Sequence, residues 1–133
     1  MAREPTSSYI SVNNLKLHYL DWGETNGIPL VMLHGLRAYG HWFDEFATEV
    51  GSGFRPIALD QRGRGFSDWA LDKNYSRSAY VSDLSHFVEA LNLDKVVLIG
   101  HSMGGLNCFH YAANEIERAV SYTHLTLPTI LLV

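Results

Sequence analysis

One serine in the chain has glycine two residues before it and two residues after it: Gly100-His101-Ser102-Met103-Gly104, followed by Gly105. This G-x-S-x-G spacing suits a serine forced onto a strained strand-to-helix turn, with its hydroxyl clear of the backbone. Glycine at 100 and 104 removes side chains where neighbouring main chain would come too close. A helix start behind the serine aims free N–H groups and a partial positive charge at the same point, which favours an oxyanion there. Ser102 is therefore the candidate nucleophile, and the Met103 N–H a candidate oxyanion donor.

Two other stretches carry chemistry. His34-Gly35 ends the apolar run "PLVML". Gly35 would let that loop pass close to the serine, so that the Leu36 N–H supplies a second oxyanion donor. His34 reads better as a buried, hydrogen-bonded residue holding this loop than as the base. Asp60 opens "DQRGRGFS" and could act as a catalytic acid, but a residue there more often fixes its own turn through side-chain hydrogen bonds. The Arg-Gly alternation lacks the Lys-Ser/Thr and helix start of a phosphate loop, so nucleotide binding is discounted. His101 is adjacent to the nucleophile, and successive residues at a sharp turn point apart. His18, His41, His86 and His110 lack Cys or acidic partners at metal-ligand spacing, so no metal is expected, and they read as surface or packing residues. "DEF" and "EIE" read as solvated helix faces.

Strands and helices must place these groups. "YISV" and "LKLHYLD" flank Asn13-Asn14 and predict an antiparallel hairpin at a sheet edge. In its second strand Leu15, Leu17 and Tyr19 share one face and Lys16, His18 and Leu20 the other, the latter partly wet. "PLVML", "FRPIAL" and "KVVLI" read as strands covered on both faces, with Pro56 near a strand start. Trp42, Phe43, Phe46 and Val50 predict an amphipathic helix closed by Gly51 or Gly53. Tyr80, Leu84, Phe87, Val88 and Leu91 predict a second helix, and Leu106, Phe109 and Tyr111 the packing face of a third. Residues 61–76 form a long polar loop. Strand and helix alternation predicts an α/β fold: an antiparallel hairpin, then a mostly parallel sheet with helices on both faces. Ligands bind such sheets at the carboxyl ends of the strands, where all three stretches fall.

Composition narrows the function. The 133 residues are 47% hydrophobic and 18% charged, ordinary for a globular domain. Ten basic against fourteen acidic residues, a net charge of −4, argue against nucleic acid or an anionic membrane as partner. The single cysteine, Cys108, excludes an internal disulfide and favours a reducing compartment. The N-terminus lacks a secretory h-region and no run reaches the length of a membrane span, so a cytoplasmic location is expected.

The hairpin, "LVMLHGL", "IALDQRGRGFSD" and "VVLIGHSMGG" follow one another with the order and spacing of an α/β-hydrolase. Over about residues 9 to 119 the chain resembles the N-terminal part of that family, the branch with esterases, lipases, epoxide hydrolases, dehalogenases and carbon–carbon bond hydrolases. Serine rather than aspartate at 102 resembles its esterase, lipase and carbon–carbon hydrolase members. Cofactor-free haloperoxidase and perhydrolase-like members also use serine. The resemblance implies a cofactor-free hydrolase of a small-molecule acyl substrate (ester, thioester, lactone or carbon–carbon bond) through a Ser-acid-His triad and an acyl-enzyme. Non-catalytic, receptor-like ligand binders on the same fold are the alternative.

In this family the triad acid and histidine follow the serine along the chain. Here only His110, His124, Glu115 and Glu117 do. A histidine eight residues along a helix is carried away from Ser102, so the triad acid and His are expected to be absent from this chain, and the chain alone to be inactive. "VSYTHLTLPT", Val120 to Thr129, back-translates into a sequence resembling the mosaic end and adaptor of a transposase-based sequencing library. Residues 1–119 are accordingly read as a truncated hydrolase domain and 120–133 as a non-native tail. The other reading makes "RAVSYTHL" the start of the next parallel strand.

Overall fold

The computed structural model describes residues 3–23, 26–114, 119–126 and 129–132, with side chains described up to residue 114. Asn13 and Asn14 both take left-handed φ, 52° and 64°, which gives a two-residue hairpin turn its right-handed twist. Around it β1 (Thr6–Val12) pairs antiparallel with β2 (Leu15–Asp21), Val12 opposite Leu15. The apolar runs become β3 (Ile28–Leu33), β4 (Phe54–Leu59) and β5 (Val96–His101). The backbone of Ala119–Thr126 forms β6, parallel to β5, and Thr129–Leu132 forms β7, antiparallel to β6. Strand pairing there is a property of the backbone and is compatible with either origin of the segment.

The sheet order is β1-β2-β4-β3-β5-β6-β7. β4, β3 and β5 are parallel neighbours, Leu33 lying opposite both Leu59 and Gly100. The ends of three strands therefore sit side by side. They deliver Asp60, His34-Gly35 and His101-Ser102 to one edge of the sheet.

Strand side chains alternate between two cores. Val31, Leu33, Ile57, Leu59, Val96 and Leu98 meet Leu84, Phe87 and Val88 of α2 (Arg77–Ala90) and Cys108 and Tyr111 of α3 (Met103–Asn114). Leu30, Met32, Ala58 and Ile99 face the other way, against Phe43 and Ala47. α2 starts at Ser76, whose Oγ accepts from the Ala79 N–H at 3.3 Å, a side-chain N-cap.

Four local expectations are corrected. The second face of β2 is wet only at Lys16: His18 and Leu20 are each 2% exposed, His18 against Asp60 and Leu20 in the core with Phe43 and Ala47. The helix predicted over Trp42–Val50 is a 3₁₀ turn, Gly40–Phe43, followed by the six-residue α1 (Asp44–Glu49). The tighter 3₁₀ winding shifts the buried phase to Phe43 and Ala47 and leaves Trp42 and Phe46 exposed. Val50 in extended conformation, not glycine, ends α1. On α3 Tyr111 is buried as predicted, but Leu106 and Phe109 are exposed. Gly104 and Gly105 lie on the sheet side and set a phase that brings Cys108 and Ala112 inward.

Phe87 is fully buried and meets the Tyr19 ring edge-on, at 5.2 Å between centroids. Phe87→Ala is expected to cost about 3–5 kcal/mol in denaturant unfolding. A loss below about 1 kcal/mol would show that α2 is not clamped to the sheet there.

Candidate active site

Ser102 sits between β5 and α3 with φ of +53°. An L-residue pays roughly 1–2 kcal/mol for that conformation, and its side chain here is exposed. The turn is tight against its surroundings. A Cβ at Gly100 would lie 2.5 Å from the Cα and N of Gly105; one at Gly104 would lie 2.1 Å from the Leu33 carbonyl oxygen and 2.5 Å from that of His34. Neither position has room for any side chain. Met103 opens α3, so its N–H has no acceptor four residues back within the helix.

The loop after β3 is fixed by His34, which is fully buried. His34 Nδ1 lies 2.7 Å from the Gly35 carbonyl oxygen and must donate to it. Nε2 is then the bare nitrogen, and it accepts the Gln61 N–H at 3.0 Å. Burial lowers the His34 pKa and keeps the ring neutral. The Gly35 carbonyl also accepts from the Ala38 N–H at 3.2 Å. With that carbonyl turned into the loop, the Leu36 N–H on the same trans peptide faces the opposite way. A Cβ at Gly35 would lie 3.5 Å from Ser102 Cβ and 3.0 Å from His101 Nδ1, so this peptide packs directly on the serine turn.

Two residues to which the sequence assigns no role, Gln61 and Asn107, tie the loop to α3. Gln61 Nε2 donates to the His34 carbonyl at 2.8 Å, and its Oε1 accepts from Asn107 Nδ2 at 2.8 Å. Asn107 is fully buried on α3, four residues after Met103. Arg64 Nε donates to the Leu36 carbonyl at 2.6 Å from the outside. The available signal was an amide on the helix face that also carries Gly104, Cys108 and Tyr111.

Asp60 is a fastener. It accepts from His18 Nδ1 at 2.8 Å, the Gly40 N–H at 2.6 Å and the Phe66 N–H at 3.0 Å. His18, read as a surface or packing residue, is buried between Asp60 and the Ser7 hydroxyl. This Ser-His-Asp contact belongs to the hairpin. Its histidine is on β2, three strand spacings or about 14 Å from β5, out of reach of Ser102. His110 is exposed and receives Arg77 Nη1 at 3.5 Å, beside α2; eight residues of helix carry it about 12 Å along the axis. His101 stacks on Trp42, centroids 4.4 Å apart at 17°, and neither of its nitrogens has a hydrogen-bond partner among the described residues. Glu115, Glu117 and the side chain of His124 lie outside the described residues. Among those described, no imidazole or carboxylate hydrogen-bonds to Ser102. Phe43 belongs to the core, while Tyr39 and Phe66 line an open cavity of about 800 Å³ beside Leu36.

Two outcomes test this geometry. Ser102→Gly is expected to raise the unfolding free energy by about 0.5–1 kcal/mol, because relief of the positive φ outweighs glycine's extra freedom in the unfolded chain. A loss of stability would show that the serine is unstrained. Below the ordinary histidine pKa of 6.5 the unfolded chain takes up a proton that buried His34 refuses, so stability falls as pH drops through 6.5 towards the lowered folded value. Denaturant unfolding from about pH 7.5 to about pH 5.5 should show this loss, up to about 1.4 kcal/mol per pH unit, and His34→Gln should remove it.

The alpha/beta hydrolase fold family matches residues 28–129 of the chain. A non-heme chloroperoxidase of Burkholderia pyrrocinia is 38% identical over 108 residues, 80% of this chain and 38% of that protein. A 3-hydroxybutyrate-oligomer hydrolase of Cupriavidus necator is 40% identical over 93 residues, 68% of this chain and 32% of that protein. The crystal structure of an alpha/beta hydrolase from Novosphingobium aromaticivorans superposes with a TM-score of 0.84 at 30% identity, covering 93% of this chain and 44% of that one. The chain thus spans about a third to two-fifths of the length of the curated relatives it matches. With the sheet order, the glycine-lined turn and this match in hand, the chain belongs to the alpha/beta hydrolase fold family.

Proposed function

We propose that Ser102 is the nucleophile of an acyl hydrolase, and that this chain carries the half of the site that presents the nucleophile and stabilises the oxyanion. The observation behind this reading is a serine at φ +53°, exposed at the carboxyl edge of a parallel sheet, with a helix N-terminus behind it and the Gly35 peptide against it. Ser102 Oγ attacks the carbonyl carbon, and its proton passes to a histidine supplied by the rest of the whole protein and oriented by an acid there. The Leu36 and Met103 N–H groups donate to the oxyanion of the tetrahedral intermediate. The bond to the leaving group breaks as that group takes the proton. Water then attacks the acyl-serine, releasing the acid and restoring the hydroxyl.

A carboxylate nucleophile would be needed to open an epoxide through an ester intermediate, and position 102 does not provide one. Perhydrolysis on the same serine is the second reading, supported by the chloroperoxidase relative. In it hydrogen peroxide replaces water at the acyl-serine and the product is a peracid. The 3-hydroxybutyrate-oligomer relative favours the ester reading.

A fluorophosphonate probe applied to the full-length protein is expected to label Ser102, with Ser102→Ala abolishing both labelling and ester hydrolysis. Gln61→Leu should lower kcat with little change in KM, by about tenfold, since it loosens the donors and not the substrate pocket. An unlabelled Ser102 in a folded full-length protein would sink the reading, and peracid formation at the expense of acid would select its second form.

A further inference from the structure

Beside Leu36 the open cavity is lined by Leu36, Arg37, Ala38 and Tyr39 on one side and Gly63, Arg64, Gly65 and Phe66 on the other. It contains two arginines and no acid. This is unexpected in a chain with fourteen acidic and ten basic residues. Of the other described arginines, Arg55 pairs with Asp21 at 2.7 Å and Arg62 with Asp83 at 2.6 Å, while Arg3 donates to the Trp22 and Phe54 carbonyls and Arg77 reaches His110. Arg37 and Arg64 pair with no carboxylate among the described residues.

Arg64 is held in place. Gly63 and Gly65 on either side take φ of +76° and +55°. A Cβ at Gly65 would lie 2.2 Å from the Asp60 carboxylate, and one at Gly63 would lie 2.6 Å from the Tyr75 ring. The Arg64 N–H donates to the Gln61 carbonyl at 2.9 Å, and the Ser67 N–H donates to the Arg64 carbonyl at 3.0 Å. Nε is used on Leu36 and Nη1 on the Gly63 carbonyl at 3.2 Å. Nη2 remains available on a guanidinium whose position is set by a packed turn. A charged donor on a held guanidinium, next to a second, exposed cation, suits a carboxylate.

The geometry points to Arg37 and Arg64 as a subsite for a carboxylate on the substrate, so that the preferred substrates are monoesters or amides of short dicarboxylic acids. This rests on the reading of Ser102 as the acyl acceptor, because the Leu36 carbonyl gripped by Arg64 and the Leu36 N–H belong to one residue. Leu36 thus borders the cavity and carries one of the proposed oxyanion donors. The same cations raise the local concentration of anionic substrate in a chain that otherwise repels it.

The test uses the full-length Ser102→Ala protein, which binds without turnover. Monomethyl glutarate, a monoanion, and dimethyl glutarate, its neutral counterpart, are titrated by calorimetry at low salt. The monoanion is expected to bind about tenfold tighter, as for a charge-assisted hydrogen bond. That preference should shrink with added salt, persist largely in Arg37→Lys and vanish in Arg37→Gln/Arg64→Gln. Equal binding of the two esters, no binding of the monoanion, or a preference that survives the double substitution would overturn the inference. None of these results touches the identity of the nucleophile, which probe labelling of the unsubstituted protein reads separately.

Discussion

The approach of the β3 carbonyls to the first turn of α3 is the constraint on which the rest of the site depends. The Leu33 carbonyl oxygen lies where a Cβ of Gly104 would be, at 2.1 Å. The strand end and the helix start therefore touch main chain to main chain. That contact fixes where α3 begins, and hence where the Met103 N–H emerges. It also fixes the phase of α3, with Gly104, Cys108, Tyr111 and Ala112 on the sheet side. The serine between strand and helix has no freedom to relax its positive φ, because both of its flanks are packed. Strain of this kind persists only when the surroundings over-determine it.

The polar network behind the turn answers a second demand of the same contact. Bringing two strand ends and a helix start this close buries main-chain groups, and each must find a partner. His34, Gln61 and Asn107 supply them in one connected chain from the Gly35 carbonyl to α3. In this network Asn107 Oδ1 alone has no partner among the described residues, and the other contacts hold the loop to α3. In the proposed reading a pair of N–H donors held this way needs little reorganisation when an oxyanion forms. On the hairpin side, Asp60 does the same for the Gly40 and Phe66 loops.

What could be read from the sequence, and what could not, divides along the range of the interactions. The buried strands, the hairpin and the serine turn are local patterns: apolar runs, Asn13-Asn14 and paired glycines. The fastening contacts are not local. His34 meets Gln61 across 27 residues, His18 meets Asp60 across 42, and Asn107 meets Gln61 across 46. No periodicity announces such a pairing, so His18 passed for a surface or packing residue and Gln61 and Asn107 passed unremarked. The miss at Trp42–Val50 has another cause. A 3₁₀ turn carries the same apolar residues as an α-helix but winds them differently, so Phe46 left the core while Ala47 entered it.

In the proposed reading, the one proton that leaves the described half of the site is that of the Ser102 hydroxyl. The donors are backbone N–H groups, the Ser102 hydroxyl is uncharged, and His34 is held neutral by burial with both nitrogens committed. Asp60 is committed to three donors from three segments. In that reading the backbone donors present the same dipoles to a forming oxyanion wherever the fold is intact. The pH dependence of catalysis, in the same reading, reports the base and the acid that complete the site. The proposed division of work gives this half the nucleophile and the fixed donors, and the other half the base that takes the serine's proton and returns it in every cycle.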